Sequence, residues 1–161
     1  MTLSEAKHLC PGAVIIDGHA QVYRCFAERL FEHCRALSPD VETYLDEAYV
    51  ELTGTERLHH DLLAAAAQLR ANITAEMGLT VTCGLGPNRM LAKLIGKTVK
   101  PDGLAQLQQE DADGFLEARP IEQLAGVGHA HARTLRSMNL RTIGELRALP
   151  VDGDEWTSEF G

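Results

Sequence analysis

Apolar residues recur along the chain at two spacings, and each spacing predicts a kind of element. From about 20 to 37, Val22, Phe26, Leu30, Cys34 and Leu37 lie three or four residues apart, which predicts an amphipathic helix. Ser38-Pro39 ends it, because the residue before a proline disfavours the helical conformation. A second helix is predicted over about 58–77, with Leu58, Leu62, Leu69, Ile73 and Met77 inward and Gly78 as its C-cap. Residues 4–9 read as a short helix stopped by Pro11 and Gly12, and "AVII" as a short extended piece.

Elsewhere the period is two. "YLDEAYVEL", residues 44–52, alternates like a strand, with Tyr44, Asp46, Ala48, Val50 and Leu52 sharing one face. "LTVTC" predicts a second strand with Leu79, Val81 and Cys83 inward and Thr80 and Thr82 outward, and "LAQLQ" a third. Between them Gly84, Gly86 and Pro87 turn the chain, and Asn88 is placed to cap a helix. On that helix Arg89, Lys93 and Lys97 form one stripe, and Met90, Leu91, Leu94 and Ile95 the opposite one. After about 108 the strands stop. Short helices follow, separated by "RP", "GVG" and "NLRT", with Thr142 and Glu145 as a capping box for the last. The first part therefore reads as an α+β unit, helices on one face of an antiparallel sheet, and the second as a small all-helical unit.

Composition narrows the class. The 161 residues suffice for one ordinary domain or two small ones, and the low aromatic fraction predicts a core of Leu, Ala, Val and Ile. No apolar run approaches the roughly 20 residues that span a membrane, and "MTLSEAKHLC" lacks the pattern of a signal peptide. Cys10, Cys25, Cys34 and Cys83 show no C-x-x-C spacing and read as reduced, mostly buried thiols of a cytoplasmic protein. His59-His60 and His129-x-His131 lack the spacing of a helical zinc site. The net charge of −8 argues against a uniformly basic nucleic-acid binder. The charge is uneven, however. Arg89, Lys93, Lys97 and Lys100 have no acid between them, and Arg133, Arg136, Arg141 and Arg147 have only Glu145. Local fields decide what meets a phosphate.

Asp46 is the anomaly. An unpaired carboxylate on a buried face costs several kcal/mol, of order. A strand end open to water or a salt bridge would resolve it, and so would a metal ion. Two further segments favour chemistry on phosphates. In "LAGVGHAHARTL" a Gly-x-Gly leads into a helix whose free N–H groups can hold a nucleic-acid backbone, the pattern of a helix-hairpin-helix. An ordinary glycine-rich connection is the plain alternative, and Arg133 and Arg136 favour DNA. The stripe of Arg89 and Lys93 with Lys100 reads either as a solvated face or as a triphosphate site. Adjacent carboxylates, a basic helix and a backbone clamp together suggest metal-assisted phosphoryl transfer, with two magnesium ions about 4 Å apart. A bulge or strand end would let Glu47 approach the same site as Asp46.

The chain resembles the Y-family, lesion-bypass DNA polymerases, the group that contains bacterial DNA polymerase IV. The matching pieces are "LCPGAVII", "SPDVETYLDEAYVELTG", "GLTVTCGLGPNRMLAKLIGKTVKPDG" and "RPIEQLAGVGHAHARTLRSMNLRTIGELRALP". The family shows S-I-D-E-A in its catalytic strand, then G-I-x-x-N-K-x-L-A-K and K-P-x-G. The resemblance implies a remnant of the fingers over 1–17, a partial palm over 18–107 and a partial thumb over 108–161 with a helix-hairpin-helix near 121–138. It implies that Asp46 and Glu47 are catalytic and bind Mg2+ in a two-metal site. It implies that Lys100, with Arg89 and Lys93, binds nucleotide. Gly126, Val127 and Gly128, with Arg133 and Arg136, would bind DNA.

The implied partners are a DNA primer-template, a deoxynucleoside triphosphate and a sliding clamp reached through other parts of the family's chain. The implied role is translesion synthesis in DNA repair. The family's first metal-binding Asp lies in an N-terminal strand that this sequence does not show, and "Y-L-D-E" here is one residue shorter than the family's "Y-S-I-D-E". Removing one residue reverses the faces of a strand. The chain by itself is therefore expected not to extend a primer. The alternatives are a non-catalytic DNA-binding accessory protein derived from such a polymerase, and an unrelated metal-dependent nuclease using Asp46 and Glu47.

Overall fold

The computed structural model describes residues 1–55, 57–124 and 126–149. Helix α1 (Leu3–Leu9) opens on a capping box between Thr2 and Glu5. Irregular chain carries Val14, Ile15 and Ile16 exposed to α2 (Ala20–Arg35). Strands β1 (Val41–Tyr44) and β2 (Glu47–Val50) follow, then α3 (Leu62–Met77). Strand β3 (Cys83–Leu85), helix α4 (Arg89–Thr98) and strand β4 (Leu104–Gln106) form a strand–helix–strand unit. The rest is helical: α5 (Ala112–Glu117), a 3₁₀ turn at Ile121–Gln123, α6 (His129–Ser137) and α7 (Ile143–Arg147). The expectation of helices continuing to residue 161 extends beyond the described residues, which end at Leu149.

The caps fall where their residue types place them. The Asp61 carboxylate accepts from the Ala64 N–H, and the Asn88 side chain from the Leu91 N–H. Gly78 closes α3 at φ 65°, in the left-handed region that glycine enters without steric cost. The Thr142–Glu145 capping box is formed in both directions. One boundary and one buried face differ from the expected ones. Helix α3 starts at Leu62 rather than 58, because Asp61 caps it there and the chain before it turns with Leu58 in solvent. On α2, Phe31 and Cys34 are buried, whereas Val22 and Phe26, expected on the buried stripe, are exposed. Cys10 and Cys25 are exposed as well, so only half of the four free thiols are withdrawn from solvent.

The expected single antiparallel sheet is two separate two-stranded sheets among the described residues. Strands β1 and β2 pair antiparallel, but β3 and β4 pair parallel, with Cys83 opposite Leu104 and Leu85 opposite Gln106. The reason is connectivity: a helix between two neighbouring strands returns the chain to the same end, which dictates parallel pairing. The "LTVTC" strand is also displaced, pairing from Cys83 onward. Upstream, the Val81 carbonyl accepts from the Arg70 guanidinium of α3 at 2.9 Å.

Packing crosses the change of texture at 108. Leu91 and Leu94 of α4 share one core cluster with Leu107, Ala112, Leu116 of α5 and Ile143 of α7. Ile121, Leu135 and Leu140 form a second cluster under the 3₁₀ turn and α6. Helix α4 sits on β3 through glycines. A Cβ at Gly84 would collide with the Ala92 carbonyl oxygen and lie 2.6 Å from the Gly96 nitrogen. A Cβ at Gly86 would lie 2.7 Å from the Ala92 nitrogen. From the helix side the fit is looser, since a Cβ at Gly96 would meet Gly84 at 3.5 Å, ordinary contact. Gly84→Ala should therefore destabilise the chain by about 1–3 kcal/mol, the usual range for overpacking against backbone. Gly96→Ala should be close to neutral or stabilising. Paired urea melts check this, and equal effects of the two substitutions would contradict the assigned geometry.

Candidate functional site

The sequence around the acid pair folds as a hairpin, not as one strand. Val41 pairs with Val50, Glu42 with Tyr49, Thr43 with Ala48 and Tyr44 with Glu47, so Leu45 and Asp46 are the two turn residues. Leu45 holds φ 48° with its side chain in solvent. A branched apolar residue rarely adopts that conformation, so the turn that carries the acids is strained. Partners in an antiparallel pair share a face. Glu42, Tyr44, Glu47 and Tyr49 therefore lie on one side of the hairpin. This corrects the expectation that Tyr44 and Asp46 share the inward face. The turn resets the alternation, and Glu47 takes the place assigned to Asp46. Asp46 is exposed at the tip. The strand-end and salt-bridge solutions to its position thus both describe this state, the first for Asp46 and the second for Glu47.

Two cations of α4 meet that face. The Lys93 ammonium lies 2.7 Å from Glu47 Oε2 and 5.9 Å from the centre of the Tyr49 ring. The Arg89 guanidinium lies 2.6 Å from Glu42 Oε2, 4.0 Å above the Tyr49 ring and 5.1 Å from the Tyr44 ring. Cations over aromatic faces gain electrostatic attraction that survives partial exposure. The Tyr44 hydroxyl donates to the same Glu42 oxygen at 2.6 Å, and the two tyrosine rings meet edge to face.

The charges respond. The hydrogen bond from Lys93 holds the Glu47 carboxyl below its ordinary range against the opposing effect of burial, and the fields of Lys93 and Lys100 add to it. The Tyr44 and Arg89 hydrogen bonds do the same for Glu42. Lys93 is raised by its bond to Glu47. Lys100 is exposed in the turn after α4 and touches the site only through its field.

The structure thus brings Asp46, Glu47, Arg89, Lys93 and Lys100 to one neighbourhood. It commits Arg89 and Lys93 to carboxylates of the hairpin. Glu42, Tyr44 and Tyr49 were not singled out from the sequence. The signal was available in "ETYLDEAY", where Leu45-Asp46 can be read as a two-residue turn between alternating halves. As donors for a metal, Asp46 and Glu47 supply hard carboxylate oxygens, and Glu47 already holds a positive charge at coordinating reach. No cluster of three His, Cys, Asp or Glu exists among the described residues, so Asp46 and Glu47 are not part of a closed cage there.

The glycine loop forms a separate place. Gly126 takes φ 90°, while Gly128 has ordinary extended backbone and stands at the N-cap of α6 without a side-chain cap. Val127 packs on the second core cluster and anchors the loop. The element before the loop is one 3₁₀ turn rather than an α-helix. Arg133 is exposed on α6, whereas Arg136 forms an ion pair with Glu122 of that turn.

The hairpin–α4 contact should be pH-dependent with a definite sign. Glu42 and Glu47 are both held below the ordinary glutamate value of 4.5. Their contribution to stability is full above that value and is lost as pH falls through the lowered values. The Tyr49 ring proton shifts should be constant near neutral pH and move toward those of an undocked ring on descent to about pH 3. A flat profile over that descent would contradict the pairing.

Comparison with known proteins follows the same outline. The model of the impB/mucB/samB family matches residues 1–97. DNA polymerase IV of Dehalococcoides mccartyi is 36% identical over 152 residues, covering 94% of this chain and 39% of that protein. A Y-family DNA polymerase chimera superposes with a TM-score of 0.81 at 26% identity, over 88% of this chain and 42% of that one. A DinB family error-prone DNA polymerase from Sulfolobus solfataricus superposes with a TM-score of 0.86 at 24% identity, over 93% of this chain and 46% of that one. The chain thus spans about two fifths of the curated relative's length. With its matched segment and its fold in agreement, the chain belongs to the impB/mucB/samB family and is a partial counterpart of the Y-family DNA polymerases.

Proposed function

We propose that this chain carries part of the palm and thumb of a Y-family DNA-directed DNA polymerase acting in translesion synthesis. Residues 18–107 are the palm portion, 108–161 the thumb portion and 1–17 the end of the fingers. The observation that carries the reading is the acid pair Asp46-Glu47, one at the tip of a hairpin and the other beside it on the face that meets the cations of α4. Asp46 and Glu47 would hold Mg2+, which when bound supplies positive charge and a Lewis acid for nucleotidyl transfer. Lys100, in the exposed turn, would meet the triphosphate of the incoming deoxynucleotide as a point charge, with Arg89 and Lys93 behind it. At the thumb, the uncapped start of α6 after Gly126, Val127 and Gly128 would donate backbone N–H groups to DNA phosphates, and Arg133 and Arg136 would supply charge. Solved structures similar to this chain include ternary complexes of a DNA polymerase, which supports a primer-template and a nucleotide as partners.

Two measurements test this reading. In an NMR titration with Mg2+ or Mn2+, amides around residues 45–48 should respond with weak affinity, and Asp46→Ala should remove the response. Unchanged signals there at about millimolar metal, the weak end of carboxylate sites, would sink the assignment. DNA binding should be sequence-independent, with a shallow salt slope of about 0.9 per phosphate contact. Arg133→Glu should weaken it alike for all duplexes. Strong preference for one sequence, or unchanged affinity in the variant, would refute the thumb assignment.

A further inference from the structure

The two cations that bind the hairpin are not equivalent. Arg89 has three partners: Glu42 at 2.6 Å, the Tyr49 face at 4.0 Å and the Tyr44 ring at 5.1 Å. Glu42 is itself fixed by the Tyr44 hydroxyl. Lys93 has its closest partner in Glu47, a member of the pair itself, with the Tyr49 side chain as a second. Both side chains of that ion pair are more than one-third exposed, Lys93 at 38% and Glu47 at 42%. A planar guanidinium stacked on a ring is held in place, whereas an ammonium on a flexible stem can turn. Helix α4 therefore offers one fixed clamp and one movable charge.

We infer that Lys93 is an exchangeable counter-ion: it neutralises Glu47 while the acid pair holds no divalent cation and turns to the phosphates when a metal–nucleotide complex occupies the pair, while Arg89 keeps the hairpin docked. The inference rests on the reading of Asp46 and Glu47 as a cation site. The electrostatics follow from counting charges. Two adjacent carboxylates repel unless a cation stands among them, and Lys93 supplies one positive charge at Glu47. A divalent cation there makes the ammonium redundant and repels it. The phosphates that arrive with the cation attract it, and Lys100 already lends its field from the same side. The Arg89–Glu42 ion pair shares no atom with Glu47, and the stacking of Arg89 on the two rings does not need the ammonium, so Lys93 can turn without releasing the hairpin.

The consequence is a reversal of sign. Lys93 opposes binding of a bare divalent cation and favours binding of the same cation with a triphosphate. Lys93→Met in the full chain should bind Mn2+ alone about two- to five-fold more tightly, the range expected for a partly exposed ion pair. It should bind Mg2+ with a deoxynucleoside triphosphate about two- to five-fold more weakly. Lys93→Arg, which keeps the charge, should follow the wild type with bare Mn2+ and, being less free to turn, should gain less from the triphosphate. Paramagnetic broadening of the Asp46 and Glu47 amides reads the first affinity, and amide shifts on titration with the nucleotide complex read the second. Tyr49 ring shifts report the docked hairpin, which should persist in Lys93→Met and be lost in Arg89→Gln. A lysine that merely holds structure would move both affinities in one direction. That result, no change in either, or loss of docking in Lys93→Met overturns the inference. Absence of Mn2+ broadening at Asp46 and Glu47 in the wild type overturns the acid-pair reading itself.

Discussion

Helix α4 can bring charge to the hairpin because its backbone nearly touches that of β3. Gly84 and Gly86 leave no room for a side chain beneath Ala92, and Gly96 faces Gly84. That contact fixes the height of α4. The buried stripe of Leu91 and Leu94, packed on Leu107, Leu116 and Ile143, fixes its rotation. With position and rotation set, the opposite stripe must point at the face of Glu42, Tyr44, Glu47 and Tyr49. The ion pairs complete a geometry that packing imposes. Solvent-accessible pairs of this kind are too weak to impose it themselves.

The hairpin answers with a constraint of its own. A two-residue turn determines which side chains of β1 and β2 share a face, and inserting or removing one residue would exchange the faces on one strand. Placing Leu45 and Asp46 in the turn puts Glu47 beside Tyr44 and leaves Asp46 at the tip. The acids therefore have different environments although they are neighbours in sequence. One is held by a lysine and the other projects to solvent. The left-handed conformation of Leu45 is retained where a glycine or asparagine would sit without strain. Its neighbours explain that retention, because the ladder on both sides and the Arg89 stack leave the turn no other register.

Much of this was legible in the sequence. The helix caps at Asn88, Gly78 and Thr142 and the two stripes of α4 stand where residue type and a 3.6-residue period put them. Local chemistry determines such features. The sheet was less legible, since short strands carry little periodic signal and β3 is only three residues long. The apolar-polar alternation read through 44–52 runs over a turn that resets the faces, and period alone cannot distinguish a strand from a tight hairpin of the same length. The partners of Arg89 lie 47 residues away at Glu42, a separation that no local pattern encodes.

The basic runs show how far a linear reading of charge can mislead. Arg89 and Lys93 are neutralised by Glu42 and Glu47, Arg136 by Glu122, and Arg147 by Asp113. Lys97, Lys100, Arg133 and Arg141 make no ion pair among the described residues, so each run presents about half of its charge to a phosphate. The members held back are the ones that tie elements together: α4 to the hairpin, α6 to the 3₁₀ turn, α7 to α5. In a chain of net charge −8 this division has a physical rationale. Several of the acids that would repel a polyanion, Glu42, Glu47, Asp113 and Glu122, are engaged by cations already present. What remains without an ion pair among the described residues is a sparse set of point charges on α4, α6 and the turns beside them.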